Sequence, residues 1–114
     1  MTFNFRFRFI AAVGLSLLSG CSAGVARPDP NDARWASERW PGTTVADLSR
    51  GQDIFVARCS SCHALPPPGQ KTPDEWAGVL DEMGAKAKLS AADQDLVLRY
   101  LSAASQREHI EPRG

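Results

Sequence analysis

Thiols, imidazoles and thioethers are scarce in this chain. Among 114 residues there are three Cys, two His, two Met and a single Tyr. Three cysteines exclude a multi-disulfide scaffold. Neither sign of charge is in excess, because 13 basic residues meet 13 acidic ones, so a basic nucleic-acid-binding surface has no support. No stretch after the first twenty residues alternates polar and apolar over the length of a strand, which leaves a β-sheet without its pattern. What remains is ordinary globular material, 43% hydrophobic and 23% charged, sufficient for one domain at most.

The first twenty residues read as a signal to be removed. Arg6 and Arg8 give a basic start, and Ile10 to Leu18 form an apolar run too short to span a bilayer. Leu18-Ser19-Gly20-Cys21 follows and resembles a bacterial lipoprotein processing site. That resemblance implies cleavage before Cys21, diacylglyceryl transfer to its thiol and acylation of the new amino terminus. An incidental Cys21 in an ordinary secreted protein is the plainer alternative. Removing twenty of 114 residues leaves 94, with 11 basic and 13 acidic residues and a net charge of −2. The acyl chains are then the membrane anchor, since several together hold where one does not. In that family an Asp after the cysteine favours inner-membrane retention; Ser22 stands there instead and points to the outer membrane, facing the periplasm.

Residues 21–43 read as a lipidated tether. Ser22 to Asn31 is small and polar with Pro28 and Pro30, about ten residues reaching ~30 Å if extended. A short helix over Asp32 to Trp40, stopped by Pro41-Gly42, carries Trp35 and Trp40. Three longer helical segments follow, each announced by a hydroxyl three residues ahead of a carboxylate: Thr44 and Asp47, Thr72 and Glu75, Ser90 and Asp93. Pro73 suits the first turn of the second. Leu48, Gly51, Gln52, Phe55, Val56 and Cys59 share one face of the first. Trp76, Val79, Leu80 and Met83 line the second; Leu96, Val97, Tyr100, Leu101 and Ala104 line the last. Residues 106–114 read as a polar tail. The fold class expected is all-α, three to four helices.

A 62-residue bundle over 44–105 is small; such cores alone yield roughly 3–5 kcal/mol and usually need a staple. Cys59-Ser60-Ser61-Cys62-His63 offers one. Two thiols at i and i+3 are spaced to bond both vinyl groups of one haem, and the next residue presents an imidazole to the iron. A thioredoxin-like redox pair wants a βαβ context that is missing. A structural zinc site wants four ligands, and only His109 and carboxylates remain to complete it. A plain Cys59–Cys62 disulfide leaves the small core unsupported.

On this pentapeptide, with Gly51 and Phe55 ahead of it and Tyr100-Leu101 in the last helix, residues 44–105 resemble a small monohaem cytochrome c domain. The resemblance implies one covalent haem c on Cys59 and Cys62 with His63 as an axial ligand. It also implies a close crossing of the first and last helices, Gly51 against Tyr100.

Once the signal is removed, Met83 is the only methionine left. It ends an inward apolar stripe just before Gly84, a helix terminator, and is the expected sixth ligand; His109, Lys86, Lys88 and an empty sixth position are its rivals. Only twenty residues separate His63 from Met83, so Pro66-Pro67-Pro68-Gly69 is expected to run extended around the haem edge. A carbonyl of that run is expected to accept from the second ring nitrogen of His63. Asp81-Glu82 and Asp93/Asp95 read as solvated faces.

The function expected is single-electron transfer between protein donors and acceptors, by a membrane-anchored carrier that is not itself an enzyme. The alternatives are a haem subunit fixed within a larger oxidoreductase, kept open by Trp35 and Trp40, although these two are expected first to cover the haem within this chain, and a ligand-binding haem sensor with an open sixth site.

Overall fold

The computed structural model describes residues 26–60 and 63–110. Cys21, Cys62 and the signal segment lie outside the described residues. Within them the chain is all-α: α1 (Pro30–Arg39), α2 (Val45–Cys59), a 3₁₀ turn (Pro68–Gln70), α3 (Pro73–Lys86) and α4 (Ala91–Ile110). No described residue is in a strand, and no described helix is long and apolar enough to cross a membrane.

The helix starts follow the hydroxyl–carboxylate signals. Thr44 and Thr72 each close a reciprocal capping box, with Asp47 and Glu75 respectively. Ser90 Oγ accepts from the Asp93 N–H at 3.1 Å. α1 begins two residues before the expected Asp32 because Asp29 caps it, accepting from the Asn31 and Asp32 amides, with Pro30 in the first turn.

α4 is the axis of the molecule. It packs most extensively against α2, and α1, α3 and the 3₁₀ turn all contact it. One apolar cluster joins Phe55, Trp76, Leu80, Val97, Tyr100, Leu101 and Ala104; a second joins Ala36, Leu48 and Ala103. Gly51 permits the α2–α4 approach: a Cβ there would overlap the Leu96 carbonyl oxygen and lie 3.0 Å from Tyr100 Cβ. This is the close helix approach that the resemblance implied. Phe55 and Tyr100 continue it as tilted rings 6.1 Å apart.

Several expectations are corrected. Val56 is exposed, because it falls one residue past Phe55 at the edge of the buried stripe. Buried Gln52 has a reason to be there: its Nε2 donates to the Ala26 carbonyl at 3.1 Å. Residues 26–43 are therefore not a free tether but a docked segment, with Trp35 and Trp40 packed beside Ala36, Leu48 and Ala103. Residues 106–110 are helix, not tail. Arg107 pairs with Asp29 and Asp32 at 3.3 and 3.0 Å, and Glu108 accepts from the Gly69 N–H at 2.7 Å, so polar partners hold the last turns.

Gly84 does not end α3. It lies buried inside the helix, where a Cβ would run into the Gln94 side chain. The helix runs two residues further, to Lys86: Leu89 N–H donates to Gly84 O and Lys88 N–H to Ala85 O, with Lys88 itself left-handed at φ 55°. That is a Schellman-type ending with lysine in the position glycine usually takes.

Candidate functional site

Cys59 ends α2, Met83 lies in α3 and His63 lies in the segment between them. The fold turns all three toward one cleft of about 790 Å³, part of it open to solvent. α2 contributes Phe55, Arg58 and Cys59, α4 contributes Leu101, and the connecting segment contributes His63 and Pro66. From α3 come Trp76, Val79, Leu80 and Met83, one turn apart along the face that the sequence pattern marked. The walls are apolar except for His63 and two cations near the end of α3, Arg58 and Lys86.

The His63 ring is tied to the backbone. Its Nδ1 lies 2.8 Å from the Ala64 carbonyl oxygen. A carbonyl only accepts, so Nδ1 is the donor in this contact, and in the neutral ring that leaves Nε2 as the acceptor. This is the orientation a metal-binding imidazole needs, with the backbone as the outer partner. The acceptor differs from the one expected. The proline run is occupied elsewhere: Pro68 O accepts from Trp76 Nε1 at 2.8 Å.

The proline run is extended only at its beginning. Pro67 has φ −59° and ψ 136°, then Pro68 to Gln70 close a 3₁₀ turn through Gln70 N–H to Pro67 O at 3.0 Å. Proline is tolerated at the start of such a turn, where its missing N–H has no partner to lose. Three further contacts fix the turn: Trp76 to Pro68, Glu108 to the Gly69 N–H, and Ser105 Oγ to Lys71 O. None of the three was read from the sequence. The signals available were the buried Trp76 indole, which needs an acceptor, and Gly69, whose Cβ would meet the Glu108 side chain.

The rival ligands separate. His109 is exposed near the end of α4 and does not line the cleft. Lys86 does line it, though its ammonium pairs with Glu82 at 2.9 Å. Lys88 occupies the left-handed cap position. Arg58 reaches across from α2 and donates to the Ala87 carbonyl at 2.7 Å, which places a cation on the negative end of α3. Trp35 and Trp40 are absent from the cleft; the tryptophan that lines it is Trp76.

Among the described residues no three His, Cys, Asp or Glu side chains converge as a metal-binding group. The donors present suit a cofactor that brings most of its own ligand field: one thiolate-forming side chain for attachment, one imidazole and one thioether. An apolar cleft with these groups on its rim and walls fits a haem better than a bare ion. Cys62, three residues after Cys59 and directly before His63, completes the attachment motif in sequence and lies outside the described residues. Compared with known protein families, curated proteins and solved structures, the chain finds no match.

Proposed function

We propose that this chain is a single-electron carrier of the bacterial cell envelope, holding one covalent haem c and anchored to the membrane by lipid on Cys21. The observation that carries the reading is the convergence of Cys59, His63 and Met83 on one apolar cleft, with His63 Nδ1 tied to Ala64 O. In this reading Cys59 and Cys62 provide the two thioether links, which keep the cofactor from being lost outside the cytoplasm. His63 would hold the iron through Nε2 and Met83 through its sulfur. Haem, when bound, supplies a one-electron ferric/ferrous couple.

The protein residues set the conditions for that couple. Phe55, Trp76, Leu80 and Leu101 are among the deepest-buried side chains of the described core and exclude water from the inner end of the cleft. A neutral imidazole with a thioether raises the reduction potential relative to two imidazoles. With both side chains engaged, no position would be left for a substrate, and that would separate a carrier from a sensor. The lipid on Cys21 holds the carrier at the membrane, and no described helix is long and apolar enough to cross it.

The test is the spectrum of the protein isolated from its native membrane. A six-coordinate His/Met carrier shows a weak ferric band in the red that Met83→Ala removes, and its reduced form does not bind carbon monoxide until Met83 is replaced. Carbon monoxide binding by the unmodified reduced protein would establish the sensor reading instead.

A further inference from the structure

Ala26 and Arg27 are pinned to the helical body, which makes the link to Cys21 short. Ala26 O accepts from Gln52 Nε2 at 3.1 Å, and Arg27 O accepts from the Arg107 guanidinium at 3.4 Å. Asp29 then caps α1 while its carboxylate meets Arg107 at 3.3 Å. Cys21 is five positions before Ala26, and five residues span at most about 18 Å. The ten-residue tether expected from composition is therefore halved.

The pinned end opens beside a groove of about 680 Å³ between α1 and the last turns of α4. Its rim carries Arg34, half-buried Trp35 and Ile110, which at 66% is the most exposed large apolar side chain described. Exposed Arg27 lies two positions before Asp29, the first residue of the groove. The two carboxylates of the groove, Asp29 and Asp32, are both paired with Arg107. Arg27 and Arg34 have no ion-pair partner among the described residues, and Arg34 donates only to the Asn31 amide oxygen. Cations, an indole and an exposed aliphatic side chain are the combination that an anionic lipid surface receives. The cleft lies on another flank of α4. Leu101 lines the cleft and Ala103 lines the groove, two positions apart and so about 200° around the helix.

We infer that the α1/α4 groove face lies against the bilayer and binds its anionic headgroups, so that the cleft opens away from the membrane. The inference rests on lipidation at Cys21. It gives the short link a role: the carrier presents its cofactor to partners arriving from the aqueous side, with its orientation fixed.

The experiment uses the complete acylated protein in vesicles of phosphatidylethanolamine and phosphatidylglycerol. A fluorophore is placed at Ile110→Cys or, in α3, at Asp81→Cys, with nitroxide-labelled headgroups as quencher. Quenching at position 110 is expected to exceed that at 81 several-fold, and inserting ten Gly/Ser residues after Cys21 is expected to cut the ratio by more than half. Equal quenching at the two positions overturns the orientation while leaving the anchor intact, and a high ratio untouched by the insertion overturns the role given to the short link. Failure of the unlabelled protein to float with the vesicles overturns the lipid anchor itself, and the orientation with it.

Discussion

Gly51 of α2 and Tyr100 of α4 meet with no room for a methyl group: a Cβ on Gly51 would sit 3.0 Å from Tyr100 Cβ and overlap the Leu96 backbone carbonyl. A backbone obstacle cannot rotate away, so the helices must part. Gly51→Ala is therefore expected to destabilise the fold by about 1–3 kcal/mol, although alanine is the better helix former. Thermal melting followed by far-ultraviolet circular dichroism measures this. A variant melting at or above the parent temperature shows that the crossing has slack.

Tyr100 provides a second test because it is the only tyrosine in the chain. Burial raises its phenol to about 12, and the nearby Gln52 side chain offsets only part of that; the hydroxyl makes no hydrogen bond of good geometry. The unfolded chain ionises near the ordinary 10, so the folded state holds the proton longer. Stability is then expected to fall as pH rises above 10. Tyrosinate difference absorbance in the folded protein is expected to have its midpoint near 12; a midpoint at 10 would place the phenol in water.

Lys88 holds a left-handed backbone at φ 55°. A β-carbon in that conformation costs roughly 1–2 kcal/mol, part of which glycine returns as chain entropy. Lys88→Gly is expected to stabilise by about 1 kcal/mol in urea unfolding, and Lys88→Ala to give no such gain. Equal effects from the two variants would mean that charge, not conformation, governs the position.

Acid should lower stability as alkali does, through carboxylates instead of the phenol. Amide hydrogen bonds from their cap residues hold Asp47 and Glu75 below their ordinary 3.8 and 4.5. A depressed carboxylate adds stability that is present above its unfolded pKa and is lost as pH falls through its folded one. The melting temperature is expected to be level above about pH 5 and to decline below pH 4. Asp47→Asn should make that decline shallower; an unchanged slope would remove the cap from the explanation.

The parts of the fold that could be read from the sequence are those set by local chemistry. Thr44, Thr72 and Ser90 mark helix starts because a hydroxyl satisfies an orphan amide wherever the rest of the chain goes. Trp76, Leu80 and Met83 could be assigned to one face because helical periodicity alone aligns them. Gly51 and Tyr100 could be paired only through the resemblance. What sequence did not reveal depends on partners far along the chain. Glu108 is 39 positions from Gly69, Arg107 is 78 from Asp29, and these contacts turned a polar tail into helix and a tether into a docked segment. Gly84 misled for the same reason, since its role is to admit Gln94 from α4. In the site, Cys59, His63 and Met83 were identified from spacing and scarcity. The Ala64 carbonyl was not, because a neighbouring backbone oxygen carries no residue signature.

The most direct measurement is the intact mass and visible colour of the processed protein after full unfolding and extraction with acidified organic solvent. One haem is expected to remain on the polypeptide beginning at Cys21, in amounts that fall when Cys59→Ser or Cys62→Ser removes a link. A colourless chain at the mass of its amino acids and acyl groups alone, recovered from a parent that was nonetheless folded and helical, would contradict it.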